Sequence, residues 1–528
     1  MAPAVEGGGE PERHDFVSQA LGDDAPAHRE DIGVVVGPRQ PRGVQVVAQR
    51  RADARDLVRR DLLALAAPAD DDAAIGSPFG DLTRHGDADR RVVDRFLAVG
   101  SVIVDDVAEA RECPLDVLFQ TKAGVIRANR DAHDAELYYR GRMAPVVTVS
   151  ARGEQRIASG HPWIYRADVG DARAGGGDLV AVRNARGRTL GHALYSDRSQ
   201  IALRMLVLGE RPADDELFVE RIDAAIRFRD ELAIDGTAYR LVHGEGDLLP
   251  SLIVDRYGDY LVVQTLSQGM DRLLSLVVST LDGRLKPRGI LARNDPRARL
   301  LEGLEQKVEV LAGEIPESVV VVQNGVRYDV DLRRGQKTGL FLDQRENREA
   351  AARYARGRLL DCFSYNGGFA LTLAPKCLEA IAIDISEDAV ARIRQNAAEN
   401  GLAIDARVGN VFDELRGLER LGERFDTIVL DPPAFAKSKS AVEKAASGYK
   451  EINLRALKLL NRGGTLVTCS CSYHISEAAF ADIVYHASVD ARSHVTVVEK
   501  RMQGRDHPVL LGAPETYYLK CFILRKIS

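Results

Sequence analysis

Four stretches decide the fold of this chain: LLDCFSYNGG at 359–368, IAIDIS at 381–386, TIVLDPPAF at 427–435 and TLVTCSCS at 465–472. Each starts as an apolar run of strand length and ends in acidic, glycine or small polar residues, and helix-like patterns separate them. That alternation predicts an α/β unit with a doubly wound, Rossmann-like parallel sheet, whose ligands gather at the strands' carboxyl ends. In the first stretch the strand is expected to end at Asp361, with Asn366-Gly367-Gly368 turning into a helix whose free N–H groups face a ligand. The dinucleotide pattern G-x-G-x-x-G is absent. Asp384, at the tip of the second stretch, suits the two hydroxyls of a ribose or the cap of the helix EDAVARIRQNAAENG. A further strand tip in ARVGNVFDEL offers Asn410 to an adenine edge.

The other two stretches carry more specific chemistry. Two prolines after Asp431 fix φ and remove two backbone donors, so the turn is rigid and aims the carboxylate at a planar, amide-like edge such as a nucleobase. Phe435 then stacks on that base or fills the core. Lys437 and Lys439 suit a nucleic-acid phosphate or a plain exposed loop. TLVTCSCS supplies a candidate nucleophile, because a thiolate can add to C6 of a pyrimidine and make C5 carbanion-like. Strand alternation puts Cys469 and Cys471 on one face, so spacing leaves both open.

At 528 residues, 45% hydrophobic and 28% charged, the chain is too long for one core. It holds no apolar run approaching the ~18 residues of a membrane helix and no signal peptide is visible, which argues against a membrane partner. Six cysteines (113, 362, 377, 469, 471, 521) lack framework spacing. They predict a reducing, cytoplasmic setting, and the tight Cys469-x-Cys471 pair is a poor metal clip, so no metal is expected. The net charge of −6 is uneven: residues 1–142 carry −7, and residues 143–528 carry +1. Within 143–212 lie ten arginines, no lysine and six acids. That local excess fits phosphate contacts or a solvated basic face.

Residues 1–142 differ from the rest, with a single lysine (Lys122) and no methionine between Met1 and Met143. They are expected to be a poorly ordered extension, with Met143 as the natural start. From 143 to 212, the pieces PVVTVSA, DLVAVRN, TLGHALYS and IALRMLVL between glycine-rich turns predict a small β-barrel. Trp163, the only tryptophan, is a core anchor or a base-stacking platform there. Residues 213–325 are expected to form a middle α/β domain, opening with an amphipathic helix over 214–233 and including a tight turn at Tyr257-Gly258-Asp259. The last unit, 326–528, is expected to open with a hairpin of GVRYDVDL and KTGLFL joined through Arg333-Arg334-Gly335-Gln336.

With HPWIY, HGEGDLLPSLIVDRYGD and GQKTGLFLDQRENR added to the four stretches, residues 143–528 resemble the PUA-domain family of S-adenosylmethionine-dependent methyltransferases that make 5-methylcytosine in bacterial large-subunit ribosomal RNA. The resemblance implies a PUA domain that binds RNA, a middle domain and a C-terminal methyltransferase sheet. It implies cofactor contacts from Asp361, Ser364, Asn366, Gly367, Asp384, Asn410 and Gln344. It implies Asp431 on the cytosine edge, Cys471 as the nucleophile, and substrate contacts from Phe435, Arg345, Lys437 and Trp163. The implied partner is 23S rRNA, free or in a partly assembled large subunit; a homodimer is left open. Ala434-Phe435 stands where two-cysteine enzymes carry a second cysteine, so the base and the release group are unassigned. Rival readings are a related rRNA guanine N-methyltransferase, a non-catalytic RNA-binding or ribosome-assembly factor and a small-molecule methyltransferase, the last disfavoured by the arginine-rich front unit.

Overall fold

The computed structural model describes residues 144–436 and 439–528. The expected extension 1–142, Met143 and Lys437 lie outside the described residues. Six strands make the first sheet: β1 Val146–Val149, β2 Trp163–Tyr165, β3 Val169–Ala172, β4 Leu179–Asn184, β5 Thr189–Tyr195 and β6 Ile201–Leu208. Their order is β2-β6-β5-β4-β1-β3. Val147, Val149, Ile164, Val180, Val182 and Leu203 form its core. Helix α1 (Ala151–Ala158) follows β1 and is started by Ser150, whose hydroxyl accepts from the Gly153 N–H. It escapes the sequence reading because only Gly153 and Ile157 are buried, too few to show a helical period.

Helix α2 (Asp215–Glu231) is capped by the Asp214 carboxylate and packs with α3 (Leu274–Leu285) on the middle sheet. That sheet comprises β7 Ala238–His243, β8 Leu252–Tyr257, β9 Tyr260–Thr265, β10 Gly289–Asn294 and β11 Lys307–Gly313, in the order β11-β10-β9-β8-β7. Gly258, at φ +61°, makes the turn between β8 and β9.

The expected hairpin is corrected by the structure. β13 (Val326–Val330) pairs with the preceding β12 (Val319–Gln323), and KTGLFL forms no strand. Asn324 and Gly325 both take positive φ, +50° and +76°, the geometry of a type I′ turn. KTGLFL is held as a loop: Gly339 sits at φ +140°, where a Cβ would meet Val330 at 2.6 Å, and the Tyr257 hydroxyl accepts from the Leu340 N–H.

The last sheet has seven strands: β14 Arg358–Cys362, β15 Glu379–Asp384, β16 Asp405–Val408, β17 Phe425–Leu430, β18 Leu460–Ser470, β19 Val495–Arg501 and β20 Lys520–Lys526. Their order is β16-β15-β14-β17-β18-β20-β19. The first five in that order run parallel, and β20 lies antiparallel between β18 and β19. Helices α4 Arg345–Ala352, α5 Gly368–Leu373, α6 Glu387–Glu399, α7 Val411–Leu421, α8 Val442–Leu459 and α9 Glu477–Asp490 accompany it. Successive residues feed two separate cores. Leu360, Ile428, Leu466 and Phe522 join one, while Leu359, Val429, Val467 and Ile523 join the other. Burial on both faces explains why these strands read as unbroken apolar runs. The strand order reverses between β14 and β17, which places a crevice at their carboxyl ends. Among the described residues no helix is long and apolar enough to cross a membrane, and no His, Cys, Asp and Glu group could hold a metal ion.

Candidate active site

The turn after β14 is built from alternating left-handed residues, Phe363, Tyr365 and Gly367, at φ +62°, +52° and +87°. This folds Ser364 back onto Asp361: the Ser364 hydroxyl donates to Oδ2 at 2.5 Å, and the Ala370 N–H donates to the same oxygen at 2.9 Å. Asp361 Oδ1 and Asn366 Nδ2 are buried without a partner among the described residues. Burial pushes the Asp361 carboxyl up to about 7. Gly368 has no room for a side chain, since a Cβ would meet the Arg348 guanidinium at 2.7 Å.

Asp384 ends β15, accepting from the Tyr365 N–H at 2.8 Å and the Ser386 N–H at 3.0 Å. The cap of α6 is Ser386 and not Asp384. Asn410 caps α7 through the Phe412 N–H at 3.0 Å.

These groups fit S-adenosylmethionine. A cationic amino group beside Asp361 would satisfy the orphan Oδ1 and draw its charge back, and the orphan Asn366 amide can donate to a carboxylate. Asp384 keeps acceptor capacity for hydroxyls after its two backbone bonds.

On the other side of the crevice, the tips of β17 and β18 meet. The Cys471 thiol lies 3.9 Å from the Pro432 carbonyl oxygen. The Ser472 hydroxyl accepts from the Ala436 N–H at 3.1 Å and bonds the Tyr449 hydroxyl at 3.0 Å, so the residue after the cysteine pins the Asp-Pro-Pro turn. Gln344 donates to Asp431 Oδ1 at 2.9 Å and accepts from Asn347 at 2.7 Å. Burial, then the charge of Asp343, pushes Asp431 up to about 6. Burial, then Asp431, pushes the Cys471 thiol up to about 11. Cys469 is fully buried with Cys521, Val429 and Val467, so the two cysteines differ although alternation assigned them one face. The strand ends at Ser470, and alternation ends with it.

Phe435 packs 4.6 Å from Tyr449 and 6.0 Å from Phe412, ring centre to ring centre, in an aromatic cluster under the turn. Two other residues expected to touch the substrate make contacts within the protein. Trp163 Nε1 donates to Glu245 at 2.9 Å, tying the first sheet to the middle unit. The Arg345 guanidinium is buried against Asp506 at 3.0 Å, so it makes a fold contact. Arg345→Ala takes the guanidinium from that buried carboxylate, which keeps the Arg240 N–H and the neighbouring His507. A loss of about 1.5–3 kcal/mol is expected, read as a lower midpoint in urea unfolding.

Asp343 was not foreseen. It holds Lys337 at 2.7 Å and accepts from the Tyr518 hydroxyl at 2.7 Å. Burial works to raise its carboxyl, but Lys337, His507 and the Tyr518 hydroxyl together outweigh this and keep it well below the usual range. Its partners are 6 and 175 residues away, so only its place in LFLDQR could have pointed to it.

Comparison with known proteins agrees with this geometry. The S-adenosylmethionine-dependent methyltransferase family model matches residues 240–509, and a PUA-like domain model matches 147–207. The ribosomal RNA large subunit methyltransferase I of Erwinia tasmaniensis is 38% identical over 391 residues, covering 72% of this chain and 99% of its own. The protein of the same name from Vibrio cholerae is 38% identical over 392 residues, with the same coverage. SMU.776, crystallised with SAH, superposes with a TM-score of 0.63 at 21% identity, over 72% of this chain and 99% of its own, and so shares the fold. The strand-tip crevice, the groups suited to the cofactor and these matches together establish that the chain belongs to the S-adenosylmethionine-dependent methyltransferase family, in the group where a PUA-like domain precedes the catalytic sheet.

Proposed function

We propose that this enzyme methylates C5 of a cytosine in large-subunit ribosomal RNA, in the cytoplasm, through a covalent bond between Cys471 and C6. One observation carries the reading: a thiol and a carboxylate of raised pKa stand together at adjacent strand tips, across the crevice from the groups suited to the cofactor. Enzymes that methylate a ring or exocyclic nitrogen have no use for the thiol. The relatives named as ribosomal RNA large subunit methyltransferases support an RNA substrate.

Asp431 holds the amino and N3 edge of the base. With its carboxyl near 6, it can share a proton with N3 as electron density moves into the ring. The Cys471 thiolate adds to C6, leaving C5 with carbanion character. Bound in the crevice, S-adenosylmethionine supplies an electrophilic methyl group. Loss of the C5 proton and departure of the Cys471 sulfur then restore the ring. Asp361, Ser364, Asn366, Gly367, Asp384 and Asn410 hold the cofactor, and Gln344 keeps the Asp431 carboxylate aimed. Fixing both partners in line supplies much of the rate.

Nucleoside mass spectrometry of 23S rRNA from a deletion strain and its parent tests the reading. Loss of one 5-methylcytidine is expected, and loss of a methylguanosine instead would overturn it.

A further inference from the structure

Lys520 is a buried ammonium that the chemistry above does not use. It is 2% exposed, yet it makes no ion pair among the described residues. Its Nζ donates to the carbonyls of Ser472 at 2.7 Å and Tyr518 at 3.0 Å. Glu477, the carboxylate that acts on it, is already held by Lys500 at 2.9 Å and Tyr517 at 2.7 Å. A buried cation without an anion costs several kcal/mol, whereas an apolar side chain would fill the same space at no such cost.

The register shows where its anion belongs. Lys520 on β20 lies opposite Ser470 on β18, and its side chain grips the carbonyl of Ser472. It therefore brackets Cys471 from the residue before to the residue after. The ionisable groups acting on the Cys471 thiol are Asp431 and Asp343, which oppose the thiolate, and Lys337 and Lys520, which favour it. Lys337 is committed to Asp343 at 2.7 Å. Lys520 is the cation left over.

We propose that Lys520 is a positioning residue for the nucleophile, its ammonium balancing the Cys471 thiolate that attacks C6. The inference rests on Cys471 being that nucleophile. In the step it serves, the thiol proton leaves to water, the electron pair stays on sulfur and then forms the S–C6 bond, and Lys520 stays protonated. Burial pulls its own pKa down to about 8, which still leaves it charged at neutral pH.

The test uses full-length enzyme without RNA, alkylated with iodoacetamide at about pH 7, where Lys520 is charged, with the rate of Cys471 modification read by peptide mass spectrometry. Lys520→Gln keeps donors for the two carbonyls and removes only the charge. It is expected to slow Cys471 alkylation roughly tenfold and to lower kcat roughly tenfold at neutral pH, with KM for RNA little changed. Lys520→Arg should stay near the original alkylation rate. Lys520→Met is the second charge-free variant, for use if Lys520→Gln does not fold. An unchanged Cys471 alkylation rate at neutral pH in a folded charge-free variant overturns the proposal. Methylation persisting in Cys471→Ala would instead overturn the nucleophile reading, which the alkylation rate does not measure.

Discussion

Cys471→Ala is expected to abolish 5-methylcytidine formation, a loss of roughly 10⁴-fold or more, while S-adenosylmethionine titrated by calorimetry still binds. The effect is this large because C5 of cytosine is a weak nucleophile until sulfur adds at C6, so nothing else on the protein can replace the bond. The fold should tolerate the change, since Cys471 lies beyond the last residue of β18 and its sulfur makes only the long contact to Pro432. Cofactor binding should persist because the groups suited to it lie on the turns after β14, β15 and β16. Cys469→Ala is the matched control. That side chain packs with Cys521 and Val467 and should cost some stability with methylation retained. Residual methylation in Cys471→Ala, with the product identified as methylguanosine, would mean that the thiol is a bystander.

Asp431→Asn is expected to lower kcat by about 10²–10³-fold and leave KM for RNA nearly unchanged. An asparagine amide can accept from the cytosine amino group and donate to N3, so it holds the neutral base. It cannot give up a proton as the ring gains electron density. The change also removes a buried charge that Asp343 opposes, so the variant should melt no lower than the parent. Asp431→Ala loses orientation as well and should raise KM too. A loss confined to KM in the Asn variant would show that Asp431 only binds the base.

The strand tips were legible because buried parallel strands are apolar throughout and stop abruptly at Asp361, Asp384 and Asp431. What failed was local turn chemistry and long-range pairing. Asn324-Gly325 is a strong two-residue hairpin signal, yet the expected partner of GVRYDVDL is KTGLFL, whose Leu340-Phe341-Leu342 end resembles a strand. The loop conformation of KTGLFL comes from Tyr257, more than 80 residues earlier, whose hydroxyl holds Thr338 and Leu340. Asp343 and Lys520 were missed for the same reason. A charged residue in an apolar stretch announces burial only once its partners are known, and Tyr518 and Ser472 are distant in sequence from them. Arg345 differs in the opposite sense: the resemblance implies a substrate contact, and its guanidinium is buried against Asp506.

The placement of β20 also bears on how the protein is made. β18 and β19 leave the ribosome before the strand that belongs between them, and β19 pairs with no other strand. Until residues 520–526 arrive, β18 presents an open apolar edge next to the cysteine, an invitation to pair with another nascent chain. Insertion of that last strand closes the edge and delivers Lys520 in one event, so the enzyme acquires its cation only as that open edge is covered.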